Sequence, residues 1–198
     1  MLDQTLLNEF QGRELEQVNW HSPEEFFKLA QSGIYVPFGD AFEYKGRGFL
    51  LIGQPGSGKT SITGRFVRYN NRHSKRLSQD SSTNRFDGVN NLVYQTNSGI
   101  YVDLMPLKIG ATDYRISTIF HLLDVEGEIR QGDLELALIQ MFWYPIHFSE
   151  DLQSQKSKIH RPLIEITSKA YERIPVLTLP FDENPDTRYR KLKEVVAS

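Results

Sequence analysis

The chain of 198 residues contains no cysteine. That excludes disulfides, thiolate metal sites and cysteine nucleophiles, and it agrees with a cytoplasmic setting, where structural disulfides are rare. No apolar run approaches the ~18 residues of a membrane-spanning helix, so no membrane span is expected. The opening stretch MLDQTLLNEFQGRELEQ carries acidic residues where a secretory leader needs a basic start and an apolar centre, so no leader is expected either. An excess of one charge is also missing: 23 Lys and Arg against 25 Asp and Glu leave a net charge of -2. Nucleic-acid binding by bulk positive charge is therefore not expected. The five histidines show no metal-ligand spacing, and His121, beside Leu122, reads as a packed residue.

What is present suffices for a core. Hydrophobic residues make up 39% and aromatics 12%, and a chain of this length fits one domain. Ser22, Pro23 and Glu25 form a capping signal, which predicts a helix from Pro23 to about Gln31, stopped by Gly33. Phe49 to Ile52 is a short continuous apolar run, the pattern of a buried parallel strand. Tyr69 to Gly99 is polar and too long for an ordinary connection, so it reads as a functional loop or an insertion. Ile100 to Leu107 and Tyr114 to Leu123 read as neighbouring strands around a turn at Lys108 to Asp113. Asp133 to Pro145 is apolar almost throughout, and its second half is assigned as strand. A helix from about Pro162 to Arg173, a strand Val176 to Leu179 and a helix from about Thr187 to Val196 complete the pattern. Strands interleaved with helices predict an α/β fold.

The most informative segment is Gly53-Gln54-Pro55-Gly56-Ser57-Gly58-Lys59-Thr60, which satisfies G-x-x-x-x-G-K-[ST]. It follows the apolar run and precedes Ser61 to Tyr69, a helical pattern, so it sits where a strand turns into a helix. Glycines there let successive backbone N–H groups converge on phosphate oxygens, and the helix start adds positive potential. Gly53, Pro55, Gly56, Ser57, Gly58, Lys59, Thr60 and Ser61 are thus the candidate phosphate-binding residues. Lys59 would reach the β- and γ-phosphates, and the Thr60 hydroxyl would ligate Mg²⁺. A glycine-rich turn with a solvated lysine is the alternative, but it has no need of Lys-Thr after its last glycine.

A triphosphate site also needs a carboxylate near its metal, at the end of a second parallel strand. The run Ile116 to Leu123 ends in Asp124-Val125-Glu126-Gly127-Glu128, which matches D-x-x-G. Asp124 is the second candidate metal ligand, and Gly127 can offer its N–H to the terminal phosphate. A bare strand-end turn would look the same.

Taken together, GQPGSGKT, IYVDLMPLKIG and ISTIFHLLDVEGE resemble, in order, blocks of the Ras-like small GTPases, and especially of the bacterial MglA-like polarity GTPases. The resemblance covers roughly residues 48 to 128. It implies a Ras-like P-loop NTPase fold with a mostly parallel sheet flanked by helices, a GTP-dependent switch with Mg²⁺, and slow hydrolysis controlled by regulatory or effector proteins. It also places Glu128 where the family has a water-positioning glutamine, making Lys59 and Glu128 the candidate catalytic residues. Residues 1–45 are then an N-terminal extension and 46–198 the NTPase domain. The chain departs from the family at two points. Gly99 stands where the switch threonine is expected, with Thr96 three residues earlier, and Pro180-Phe181-Asp182-Glu183 stands where N-K-x-D would read guanine. Base preference, GTP or ATP, stays open. Two other readings are a degenerate nucleotide-binding module that does not hydrolyse, and a P-loop kinase with a lid drawn from Arg65 to Arg85.

Overall fold

The structure is a computed structural model and describes residues 34–35, 39–76, 92–96, 99–103, 114–125, 127–140, 161–162, 164–165, 168 and 171–198. The predicted helix Pro23 to Gln31 lies outside them. The fold is α/β, built on a mixed sheet, and the arrangement follows from a few local features.

Strand β2 (Gly39–Tyr44) and strand β3 (Arg47–Gly53) form an antiparallel hairpin in which Tyr44 faces Arg47 across a two-residue loop. Lys45 and Gly46 both have positive φ, 51° and 81°, the geometry of the type I′ turn that matches the twist of paired strands. The hairpin crosses the division drawn at residue 45, so residues 39–44 belong to the same sheet as β3. The three-residue strand β4 (Ser74–Arg76) pairs with the outer edge of β2.

The ten-residue strand β7 (Tyr114–Leu123) is the centre of the sheet. Along one edge it runs parallel to β3. Along the other, its first residues pair antiparallel with β6 (Gly99–Asp103), and its second half runs parallel to β9 (Val176–Pro180). Strands β1 (Ile34–Tyr35) and β5 (Leu92–Thr96) extend the β6 side, and β8 (Arg130–Gln131) pairs with β9. The expectation of a mostly parallel sheet is therefore corrected. Among the described residues only the β3–β7 and β7–β9 pairs are parallel; the other pairs are antiparallel. The polar stretch Tyr69 to Gly99 likewise contributes β4 and β5 to the sheet.

Helix α1 (Lys59–Tyr69) buries Lys59, Ile62, Thr63 and Phe66, one stripe at helical spacing. Residues 134–140 form helix α2, so the start of the segment assigned as strand within Asp133 to Pro145 is helical; the remainder lies outside the described residues. Its pattern, apolar without alternation, did not separate the two states. Positions 161, 162, 164, 165, 168 and 171 are helical, as expected. Helix α3 (Pro185–Ala197) starts at Asn184, whose side chain accepts a hydrogen bond from the Asp186 N–H, with Pro185 in the first turn.

Helices α1 and α3 cover one face of the sheet. Phe42 and Phe49 from the hairpin, Phe66 from α1 and Tyr189 from α3 form a continuous aromatic group, with Phe42 and Phe66 centroids 4.4 Å apart. Side chains alternate along a strand, so Leu50, Ile52, Ile119 and His121 face the opposite way, and they too are buried. Both faces being covered explains the unbroken apolar run in β3. The consequence for function lies at the strand ends. β3, β7 and β9 run in one direction, and Gly53, Asp124 and Phe181 follow their carboxyl ends side by side, where α/β sheets open a crevice. No helix among the described residues is long and apolar enough to cross a membrane.

Candidate functional site

The loop after β3 turns sharply. Ser57 donates its N–H to the Gln54 carbonyl at 3.1 Å, and Gly56 and Gly58 sit at φ 80° and 86°, which side chains rarely adopt. At Gly53 a Cβ would lie 2.8 Å from the Leu122 carbonyl oxygen and 2.9 Å from Ser57 Oγ. Only glycine fits where the loop leaves the sheet against β7. Gly58 is the N-cap of α1, and neither a side-chain cap nor an acidic residue occupies the first turn. A helix start of this kind is suited to an anion.

Lys59 folds back over this loop. Its Nζ donates to the carbonyls of Gly53 at 2.8 Å and Gln54 at 2.7 Å, and lies 3.5 Å from Ser57 Oγ. The ammonium is buried, and that desolvation pushes its pKa down to about 8, opposed by the nearby Asp40 carboxylate. Asp40, on β2, is itself buried and accepts from the Ala41 N–H. No motif marks Asp40; a carboxylate inside an apolar hairpin, just before the strand that leads into the glycine-rich turn, was the available signal.

A cleft of about 360 Å³ opens over the loop. Its walls are the turn Gln54 to Ser57, the end of β7 from Leu122 to Asp124, and Phe181 with Arg188. The structure thus brings Pro55, Gly56, Ser57 and Asp124 together, as expected from the two motifs. Thr60 and Ser61 are exposed in the first turn of α1. Gly127 has φ 118°, a second position suited to glycine. Glu128 is not among the lining residues. Its side chain is 85% exposed and its Oε1 lies 3.6 Å from Lys191 Nζ, which also donates to the Gly127 carbonyl at 2.8 Å. Asp182, in the segment that stands where N-K-x-D would be, accepts from the Asn184 N–H at 2.9 Å and shapes the turn into α3. Phe181 reaches the cleft in its place.

Arg188 was not singled out from sequence. It sits in α3 among polar residues, and no motif marks it. It is buried, and its Nη1 donates to the Ser57 carbonyl at 2.8 Å, tying α3 to the glycine-rich loop. Burial lowers its pKa, opposed by the carboxylates of Asp182 and then Asp124.

No protein-family model matches the chain, and a search of curated proteins finds no match.

Proposed function

We propose that the protein binds a Mg²⁺ nucleoside triphosphate at the 53–60 loop and acts as a GTPase-like switch, with slow hydrolysis controlled by a regulatory or effector protein. The observation that carries the reading is the loop itself. Positive-φ glycines precede a helix start without a side-chain cap, a buried Lys59 lies over the loop carbonyls, and the turn Gln54 to Ser57 faces a cleft that Asp124 shares. A phosphate chain would draw the Lys59 Nζ from the carbonyls to phosphate oxygens while loop N–H groups bind the rest.

The donor set also fits Mg²⁺. The Thr60 hydroxyl and Asp124 carboxylate are hard oxygen donors, and Mg²⁺ is commonly held by one or two protein oxygens together with phosphate oxygens and water. When bound, the ion neutralises phosphate charge. The chain's own contribution is positioning and charge: Lys59 and the loop amides hold the phosphates, and Gly127 can offer its N–H to the terminal one. Glu128, exposed beside Lys191, would have to leave that pair to orient a water molecule. This favours, as the second reading, a module that binds nucleotide and hydrolyses it only when a partner rearranges the 124–128 segment.

The test is Mg²⁺-dependent binding of fluorescent GTP and ATP analogues, with phosphate release, for the wild type and Lys59→Ala. Binding lost in Lys59→Ala is expected, with turnover below about 1 per minute. Binding that survives the substitution, or none in the wild type, refutes the proposal.

A further inference from the structure

Arg188 is an unusual residue to bury. The residue is 6% exposed, yet no carboxylate among the described residues lies within ion-pair distance of its guanidinium. Of its five N–H groups, one reaches the Ser57 carbonyl at 2.8 Å and one the Leu179 carbonyl at 3.4 Å. Nε is buried and has no hydrogen-bond partner among the described residues. The guanidinium lies 5.8 Å from the Phe181 ring centroid, and its Nη1 would be 3.5 Å from a Cβ on Gly58, so it rests directly against the last glycine of the phosphate loop. It also lines the cleft, with Asp124 on the same wall system. A buried cation with donors to spare, placed against an anion-binding loop, is what recognition of a phosphoryl group requires.

Building on the nucleotide reading above, we propose that Arg188 is a phosphate-contacting residue supplied in cis by the C-terminal helix, and that it engages the terminal phosphoryl group of the triphosphate. The terminal group is assigned because Arg188 shares the cleft with the loop residues Gln54 to Ser57 and with Asp124, the carboxylate that the nucleotide reading gives to Mg²⁺. Arg188 therefore discriminates triphosphate from diphosphate, whereas Lys59 is needed for both. The bond to Ser57 holds the guanidinium in place before the ligand arrives, and the free Nε–H and Nη–H groups supply the contact.

Affinities of Mg²⁺-bound GTP, GDP, ATP and ADP are measured for the wild type, Arg188→Gln, Arg188→Lys and Lys59→Ala, with circular dichroism and thermal melting as controls of folding. A charge-assisted contact to one phosphoryl group predicts that Arg188→Gln loses triphosphate affinity by ~10-fold or more, with diphosphate affinity changed by less than ~3-fold. Arg188→Lys should recover part of the loss. A folded Arg188→Gln whose triphosphate and diphosphate affinities fall together, or do not fall, overturns the proposal while leaving the loop reading intact. Should Arg188→Gln not fold, the wild type decides. With ¹⁵N-labelled arginine, the Arg188 Nε–H resonance is expected to shift on adding a non-hydrolysable triphosphate and not on adding diphosphate; equal response to both overturns the assignment. A wild type that binds neither nucleotide refutes both readings at once.

Discussion

His121 offers a test of the architecture beneath the site that does not depend on any ligand. It lies in β7 between Ile52 of β3 and Thr178 of β9, three residues before Asp124, and is 1% exposed. Among the described residues neither ring nitrogen has a hydrogen-bond partner. Burial lowers its pKa from 6.5 to about 4, opposed by the Asp133 carboxylate. The unfolded chain therefore binds a proton near pH 6.5 that the folded chain refuses until about pH 4, so this group makes stability fall as the pH drops through that window. The shift corresponds to ~3 kcal/mol across the whole interval, at most about 1.4 kcal/mol per pH unit. The perturbation is His121→Leu, which removes the titration and two unpartnered nitrogens while filling similar space. Urea unfolding of both proteins at several values between pH 4.5 and 7.5 isolates the histidine, because the carboxylates contribute to both curves alike. The variant should match or exceed the wild type at pH 7.5 and lead it by a margin that widens by ~2 kcal/mol at pH 4.5. Parallel stability profiles for the two proteins would refute the reasoning, since His121 would then be protonated as readily folded as unfolded.

Two glycines in one segment should respond with opposite sign. Gly64 lies inside α1 with nothing within 4 Å of an added Cβ, so Gly64→Ala should stabilise the fold by ~0.5–1 kcal/mol; Gly58→Ala, at φ 86°, should destabilise it by ~1 kcal/mol or more, both read by thermal melting. Lys191 holds the 124–128 segment through the Gly127 carbonyl and Glu128 on the surface of the molecule. Lys191→Ala should change global stability by less than ~1 kcal/mol, yet raise hydrogen exchange in residues 125–129; unchanged exchange there would dismiss the clasp.

Much of this protein was legible in one dimension. The unbroken apolar run Phe49 to Ile52 announced a strand buried on both faces, and the stripe of α1 followed from helical spacing. Gly53 to Gly58 marked a sharp turn between strand and helix, because only glycine tolerates the backbone angles and close approach found there. These are local properties, written in neighbouring residues. The direction of the strands was less accessible, since the Lys45-Gly46 turn that makes β2 antiparallel looked like any polar break. The state of 134–140 was equally hidden, because an apolar stretch serves a buried helix as well as a buried strand. What only the tertiary structure decided are the long-range meetings: Asp40 beside Lys59, Phe181 in the cleft, Glu128 held by Lys191, and Arg188 delivered from 131 residues away to the Ser57 carbonyl. Sequence spacing carries no record of such contacts, because they are set by which strands pair and how helices pack, and a charged residue reveals its purpose only when the fold withdraws it from water.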